Sequence, residues 1–348
     1  MRFDLFLLPL LIAFSVTIGL CLLFLLVPMF QRQVWRHGKR HQGKHSLSRL
    51  GGVAMGIAFM GTVVFDPHLV MTREFFGLLI GGLLVCGFGL WDDFRELSFK
   101  AQAFFQVAVT IIIFTFGIRI TAIKVPFGEV LLFSEQGMLL TLLSFLVLFG
   151  WMLLVMNAVN WMDGLDGLLG GVSFITFLTV FFLSLKPEVN QPPVAILAII
   201  AAGLTAGFLF FNLHPAKILA GTTGSMFLGF LIAVLAIIAG TKVATALLVL
   251  TLPVADALWV IGERFVARVS IFQSDQRHLH YKLRKLGWKE GHIAWLFSIL
   301  TGIIAVVALN TAVLGKFIAF LLSLTVIFSL LIFVAYRTKQ KERLRASL

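Results

Sequence analysis

Residues 138–168 read MLLTLLSFLVLFGWMLLVMNAVNWMDGLDGL, an apolar stretch that ends in a cluster of polar residues. The first nineteen of these residues include no charged side chain. Because a membrane-spanning helix needs about 20 mostly apolar residues, the stretch predicts one transmembrane helix. Polar groups are costly at membrane depth, so the asparagines and aspartates that follow predict that this helix ends at a membrane surface.

Similar apolar stretches recur along all 348 residues. Hydrophobic residues make up 59% of the chain and charged residues 13%, whereas soluble domains carry about 25% charged residues. We predict eleven spans, at residues 5–30, 51–65, 75–91, 101–118, 138–156, 169–185, 193–211, 224–240, 243–261, 292–310 and 317–336. The sequence therefore predicts an all-α polytopic membrane protein of about 11 transmembrane helices, with residues 1–348 in a single integral membrane domain.

Basic residues are distributed unequally between the two sets of loops. The chain has 28 lysines and arginines, of which 21 lie on one side of the predicted helices and 7 on the other. The positive-inside rule assigns the richer side to the cytoplasm, which places the N-terminus outside and the C-terminus in the cytoplasm. The basic balance indicates contact with anionic lipid headgroups, and the sequence has no basic patch with interleaved aromatics that would predict nucleic-acid binding.

One predicted outer loop, at residues 119–133, has a partly alternating apolar pattern around Pro126, Phe127 and Gly128. Alternation on both sides of such a turn is typical of paired strands. We therefore predict a small β-hairpin on the outer face.

The unusual polar residues fall at the predicted cytoplasmic ends of the helices. Five clusters are found there: Asp92–Asp93, Asn157–Asp166, Gly221–Ser225, Asp256 and Arg277–His280. Five clusters on one membrane face predict one shared site at the cytoplasmic surface. A transporter would instead place such residues near the bilayer midplane, so this distribution argues against a transporter.

Asp92 and Asp93 are adjacent carboxylates that repel each other, so at least one of them needs a metal ion, another cation or a proton. Beside a basic loop they could hold Mg²⁺ or act as a base on a phosphate. A solvated helix end capped by aspartate is the alternative interpretation. Lys100 follows on the next predicted helix, from which it could reach a phosphate oxygen.

Asn157, Asn160, Asp163 and Asp166 recur at a spacing of three residues, with glycine after each aspartate. In a helical turn this spacing places side chains near one face. Their oxygen atoms suit Mg²⁺, ribose hydroxyls or the edge of a uracil ring. The alternative is a capped helix start with glycine turns, which is the weaker interpretation for four polar residues so close together.

Residues 221–225 read GTTGS and precede a predicted helix. Glycines allow the backbone to approach a ligand closely, and a helix N-terminus favours a phosphate group. A tight turn between helices, with Ser or Thr as the N-cap, explains the same pattern.

Arg277, His278 and His280 lie in a basic loop with Lys282 and Arg284. The cluster could grip a diphosphate, and a patch that binds lipid headgroups is an equally good explanation. Zinc is disfavoured because the two histidines are two residues apart and no cysteine is near them.

These clusters, in this order, resemble the polyprenyl-phosphate N-acetylhexosamine-1-phosphate transferase family over nearly the whole chain. The segments that match its motifs are Ser48–Gly52, Asp92–Gln106, Asn157–Gly167, Phe211–Ser225, Pro253–Asp256 and Arg277–His280. The histidine segment is more similar to the bacterial branch that makes undecaprenyl-diphosphate N-acetylglucosamine than to the muramoyl-pentapeptide branch, which has a run of histidines there.

The resemblance implies a reaction. A sugar 1-phosphate, N-acetylglucosamine 1-phosphate in this branch, passes from a UDP-sugar to undecaprenyl phosphate, which gives an undecaprenyl-diphosphate-sugar and UMP. This is the first membrane step of cell-envelope glycan synthesis. The resemblance also implies a Mg²⁺ cofactor, with Mn²⁺ as the alternative, and an active site that faces the cytoplasm from the cytoplasmic membrane. Members of the family can form homodimers, so a homodimer is left open.

The resemblance further implies roles for residues in the matching segments. The implied catalytic residues are Asp92, Asp93, Asp163, Asp166 and His278. The implied substrate-binding residues are Lys44, Arg49, Lys100, Asn157, Asn160, Arg277 and His280. The implied metal ligands are Asp92, Asp93, Asn160 and Thr222.

Two positions depart from the family pattern. Thr222 stands where the family has a metal-binding aspartate, and Tyr281 stands where it has a further histidine. A threonine hydroxyl can bind Mg²⁺ but brings no negative charge, and tyrosine cannot become a cation. These departures leave open a changed donor preference or a degenerate, non-catalytic lipid- and nucleotide-sugar-binding paralogue. A CDP-alcohol phosphotransferase is disfavoured because the required Ala-Arg pair does not follow Asp163.

Overall fold

A computed structural model of the chain describes residues 4–27, 47–124, 130–132, 137–240, 243–270 and 276–346. Lys44, which the sequence assigns to substrate binding, lies outside the described residues. The described helices are α1 (Asp4–Leu26), α2 (Gly51–Phe65), α3 (Arg73–Arg95), α4 (Phe99–Thr115), α5 (Met138–Trp161), α6 (Leu168–Ser184), α7 (Pro192–Asn212), α8 (Gly221–Ile238), α9 (Val243–Val249), α10 (Thr251–Val266), α11 (Leu279–Leu286), α12 (Glu290–Asn310) and α13 (Val313–Ala346).

The helices confirm the all-α polytopic membrane fold. Within the described ranges, seven are long and apolar enough to cross a membrane: α1, α3, α5, α7, α8, α12 and the first 26 residues of α13. The pair α9 and α10 meets the same criterion together, and α2, α4 and α6 are shorter apolar helices. These elements occupy the positions of the eleven predicted spans, while the number of crossings and the orientation stay predictions.

The ninth predicted span is wrong as a single continuous helix. The chain breaks at Leu250, and the axes of α9 and α10 differ by 73°. Pro253 explains why a break is favoured here. Inside a continuous helix its ring would clash with the carbonyl group four residues earlier, whereas in the first turn of a new helix it is tolerated.

Two short strands lie in the loop for which the sequence predicts a hairpin. β1 (Ala122–Lys124) pairs antiparallel with β2 (Val130–Leu132), and Ile123 lies opposite Leu131. The connecting residues 125–129 lie outside the described part of the chain. The position of this loop on the outer face stays a prediction.

Helix α8 lies at the centre of the bundle. Its membrane-spanning stretch is 89% buried, against 17% for that of α13. It packs against α2, α3 and α5, while α7 packs between α1 and α6. The first turn of α8 is therefore surrounded by the ends of several other helices.

Two glycines allow the backbones of α2 and α3 to approach this first turn closely. A Cβ atom added at Gly52 would overlap the backbone of Gly224 and lie 2.7 Å from the carbonyl oxygen of Ala220. A Cβ atom added at Gly89 would lie 2.8 Å from the backbone nitrogen of Thr223. Larger side chains at these positions would force the helices apart.

Candidate active site

The segment before α2 runs beside the segment before α8. Ser48 forms a parallel bridge with Ile218, and the N–H of Leu219 donates to the carbonyl oxygen of Ser48 at 2.8 Å. The N–H of Gly51 then donates to the carbonyl oxygen of Leu219 at 3.1 Å. These contacts bring Arg49, which the sequence assigns to substrate binding, to the start of the GTTGS segment.

Asp93 joins the inner end of α3 to the first turn of α8. Its carboxylate accepts hydrogen bonds from the N–H of Thr222 at 2.8 Å, the N–H of Thr223 at 3.0 Å and the hydroxyl of Thr223 at 2.8 Å. Gly221 precedes these donors with a φ of +68°, a conformation that favours glycine. In the described contacts the anion at this helix terminus is the carboxylate of Asp93, and the phosphate that the sequence predicts at this terminus stays a prediction.

Asp92 is directed towards a different neighbour. Its Oδ1 accepts hydrogen bonds from the N–H of Leu97 at 2.8 Å and from the amide of Gln102 at 3.1 Å. These contacts fix the turn between α3 and α4. Lys100, near the start of α4, is exposed.

The two asparagines at the end of α5 reach different helices. Asn157 donates to the side-chain oxygen of Gln106 on α4 at 3.1 Å. Asn160 accepts a hydrogen bond at 2.6 Å from the hydroxyl of Ser225, in the first turn of α8. Asn160 and Asp93 therefore contact the same turn from two sides.

The aspartates after α5 lie beside the segment that leads into α8. Asp166 is 4% exposed, and its Oδ2 accepts from the N–H of Ala216 at 3.1 Å. Asn212 fixes the spacing of the two segments, because it accepts from the N–H of Gly167 at 3.0 Å and donates to the carbonyl oxygen of Ile218 at 2.9 Å.

One pocket brings these segments together. Its lining includes Arg49, Asp163, Asp166, Asn212 and Gly221. The pocket thus combines one cation, two carboxylates and the glycine that precedes the capped turn of α8. The volume of the pocket is about 20 Å³, so this set can contact part of a ligand that carries phosphate groups and hydrogen-bond donors.

The histidine segment is anchored by an aspartate on α10. Asp256 lies 2.9 Å from the Nδ1 of His278, and it accepts from the N–H of Leu279 at 2.7 Å. All three residues are buried. Because Asp256 fixes the Nδ1 side of His278, the imidazole has a defined orientation.

His280 is fully buried. Its ring stacks on that of His278, with centroids 5.7 Å apart, and contacts the tilted ring of Tyr281 at 4.3 Å. Neither of its ring nitrogens has a hydrogen-bond partner among the described residues. Burial lowers the pKa of His280 to about 3, so this imidazole is neutral at physiological pH. Burial also raises the pKa of the Tyr281 hydroxyl. A Cβ atom at Gly164 would lie 2.6 Å from both His280 Nε2 and the Tyr281 oxygen. The side chains of His280 and Tyr281 therefore border the segment that carries Asp163 and Asp166.

Two cations of the predicted basic cluster are held by acidic side chains. Lys282 pairs with Glu263 at 2.7 Å, and Arg284 pairs with Glu290 at 3.3 Å. Arg277 donates to the carbonyl oxygen of Glu263 at 3.3 Å. The loop is therefore a network with internal ion pairs, which sequence reasoning did not foresee because Glu263 and Glu290 lie on separate helices.

The residues predicted to bind Mg²⁺ fit the ion in part. A carboxylate has about four lone-pair positions, and the described hydrogen bonds to Asp93 use three of them. Asn160 accepts one hydrogen bond on an oxygen that has two such positions. Both residues thus retain an oxygen position of the kind that Mg²⁺ prefers, and this ion commonly completes its shell with water and substrate phosphates. Thr222 brings a neutral hydroxyl, and the described contacts of Asp92 lead to α4.

Sequence reasoning missed two residues beside Asp166. The Nδ1 of His214 lies 2.9 Å from Asp166 Oδ2, and one potential ligand atom from each of Asp166, His214 and Glu290 falls within 4.8 Å of the others. The signal for His214 was its place directly before the Pro215–Lys217 part of a matched segment. Glu290 begins a helix far along the chain, and its local sequence gives no such signal.

The chain is similar to known proteins over most of its length. The sequence model of glycosyl transferase family 4 matches residues 75–240. The chain is 29% identical over 294 residues to a probable undecaprenyl-phosphate N-acetylglucosaminyl 1-phosphate transferase of Bacillus subtilis. This match covers 83% of this chain and 78% of the relative. It is 29% identical over 295 residues to a decaprenyl-phosphate N-acetylglucosaminephosphotransferase of Mycobacterium leprae, a match that covers 76% of this chain and 73% of the relative. It is also 30% identical over 296 residues to a phospho-N-acetylmuramoyl-pentapeptide-transferase of Carboxydothermus hydrogenoformans, a match that covers 78% of this chain and 86% of the relative.

Proposed function

Because this chain belongs to glycosyl transferase family 4, the polyprenyl-phosphate sugar-1-phosphate transferases, we propose that it uses UDP-N-acetylglucosamine as the donor and undecaprenyl phosphate as the acceptor. The protein is a multi-pass membrane enzyme that transfers a sugar 1-phosphate to a polyprenyl phosphate. In the proposed reaction a phosphate oxygen of the lipid attacks the phosphorus that carries the sugar. The bond from this phosphorus to UMP breaks, UMP leaves, and the sugar remains on a lipid diphosphate.

The observation that carries this proposal is the pocket shared by Arg49, Asp163, Asp166 and Gly221. The guanidinium group of Arg49 supplies a fixed positive charge for the donor diphosphate. The carboxylates of Asp163 and Asp166 accept hydrogen bonds from the ribose hydroxyls or the uracil N–H. The donor therefore lies with its nucleoside towards the end of α5 and its diphosphate towards the start of α8.

The proposed metal requirement rests on Asp93 and Asn160. Both contact the first turn of α8, and each retains an oxygen position suited to Mg²⁺ or Mn²⁺. When bound there, the ion would neutralise charge on the diphosphate. Asp93 also holds the turn in place through its three hydrogen bonds, so in this proposal it would both position the turn and contribute an oxygen to the ion.

Residues of the remaining segments are assigned to positioning and to the acceptor. Asp256 orients His278 through its Nδ1, the Nε2 of His278 is assigned to a substrate phosphate, and Arg277 and His280 lie in the same segment. Lys100 is exposed near the start of α4, and we assign it to the lipid phosphate. This arrangement requires the site to face the cytoplasm, where nucleotide sugars are found, and to open to the lipid.

UMP release by the purified protein tests the proposal. The assay contains UDP-N-acetylglucosamine, undecaprenyl phosphate and Mg²⁺, with controls that omit the lipid or contain EDTA. Release that needs both the lipid and the metal is the expected result. If the folded protein released no UMP with this donor or with a panel of other UDP-sugars, catalysis would be rejected and the non-catalytic binding paralogue would be favoured.

A further inference from the structure

A groove between α1 and α2 lies at the end of α2 that is distant from the candidate active site. Helix α2 begins at Gly51, beside the segment that leads into α8, and the groove continues past its other end to Asp66 and His68. Its volume is about 320 Å³. Among the residues that the structure describes, none assigned to donor or acceptor binding lines it, which separates the groove from the described part of the candidate active site.

Most of the groove is apolar and faces outwards. On α1 it is lined by Leu8, Ile12 and Val16, which are 55%, 43% and 39% exposed. Their spacing of four residues forms a stripe along α1 about 12 Å long, at about 1.5 Å per residue. Since α1 is a membrane-spanning helix of which only 22% is buried, this stripe lies where hydrocarbon chains are available.

One wall and one end of the groove are polar. Thr62 on α2 is only 6% exposed, and its hydroxyl has no hydrogen-bond partner among the described residues. Asp66 follows α2 with a side chain that is 5% exposed. Its Oδ1 accepts the N–H of His68 at 2.9 Å and lies 3.4 Å from the ring Nδ1 of His68. Asp4 on α1 lines the same groove. The polar features therefore suit a ligand that brings hydrogen-bond donors and positive charge.

We propose that this groove binds one phospholipid with a primary-amine headgroup, such as phosphatidylethanolamine. An acyl chain lies along the stripe of α1, and the ammonium group lies near the carboxylates of Asp4 and Asp66. An ammonium group offers three donors and a compact positive charge, which complements two acidic side chains at the end of an apolar groove. An anionic lipid such as phosphatidylglycerol carries no such group.

Native mass spectrometry of the full chain tests the proposal, with phosphatidylethanolamine and phosphatidylglycerol as competing probes. In Gly61→Leu, the new side chain enters the groove, and a Cβ atom there meets nothing within 4 Å. Gly19→Leu is the matched control, because a Cβ atom at Gly19 also meets nothing within 4 Å and Gly19 does not line the groove. We expect Gly61→Leu to lower phosphatidylethanolamine retention at least tenfold and Gly19→Leu to leave it unchanged.

A second variant tests the headgroup assignment. Asp66→Asn should remove the preference for phosphatidylethanolamine over phosphatidylglycerol while the acyl chain still binds. Equal retention of the two lipids by the unaltered protein would overturn the proposal, and so would full retention in Gly61→Leu. Loss of a dimer in Gly61→Leu, with lipid retention unchanged, would instead assign the groove to a second copy of the chain. Thermal unfolding curves show whether each variant is folded, and no substrate is present, so the result is independent of the transferase assay.

Discussion

Replacement of Gly52 by alanine should displace the first turn of α8 and remove most transferase activity. A Cβ atom at position 52 would lie 2.1 Å from the backbone nitrogen of Gly224 and 2.5 Å from its Cα, whereas ordinary contacts begin at 3.4 Å. The atoms it meets are backbone, so no side chain can turn away. Helices α2 and α8 must therefore separate by about 1 Å, at a cost of roughly 1–3 kcal/mol.

This displacement acts on the contacts that define the site. The N–H of Gly52 donates to the carbonyl oxygen of Ala220 at 3.0 Å, and Asp93 binds the next residues of the same turn. A misplacement of about 1 Å at a catalytic site can lower turnover by about 100-fold. We therefore expect a fall of that size in the rate of UMP release, together with reduced stability in detergent.

Gly61→Ala is the matched control on the same helix. A Cβ atom at Gly61 meets nothing within 4 Å, so this variant should keep the unaltered rate and unfolding midpoint. If Gly52→Ala had the same rate and stability as Gly61→Ala, the inferred close packing of α2 on α8 would be refuted. If Gly52→Ala were unstable but fully active, the packing would stand and its link to catalysis would fail.

Three further variants test the electrostatics of the site. His280 has a folded pKa of about 3 against 6.5 for the free side chain, so below pH 6.5 the unfolded chain binds a proton that the folded chain does not. Denaturant unfolding should show that the free energy of unfolding falls by up to about 2 kcal/mol between pH 6.5 and pH 5. His280→Phe should remove this pH dependence, whereas replacement of the exposed His292 should leave it in place. Asp166→Asn should raise the donor KM about tenfold through loss of a charged hydrogen-bond acceptor, and an unchanged KM would indicate a purely structural role. Thr222→Asp should raise the apparent Mg²⁺ affinity roughly tenfold by adding an anionic ligand beside Asp93, and an unchanged metal titration would place the ion elsewhere.

The membrane fold and the polar composition of the site followed from local patterns. The stretch at residues 138–168 shows why, because the length of its apolar part and the position of Asn157 are properties of the chain itself. The break at Leu250 was missed because the apolar composition of residues 243–261 is continuous. Helix interruption there depends on the backbone geometry around Pro253, which the hydrophobic pattern does not record.

The sequence determined that polar clusters end the apolar helices, while only the tertiary structure decided which partners they have. Asp92 and Asp93 are adjacent in sequence, yet one binds the start of α4 and the other binds α8. Successive residues of a helix point about 100° apart, so each carboxylate meets whatever element is packed on its own side. His214 and Glu290 come near Asp166 for the same reason, since they belong to separate elements whose packing brings them together. Apolar length and polar spacing are local properties of the chain, whereas these pairings depend on which helices pack against one another.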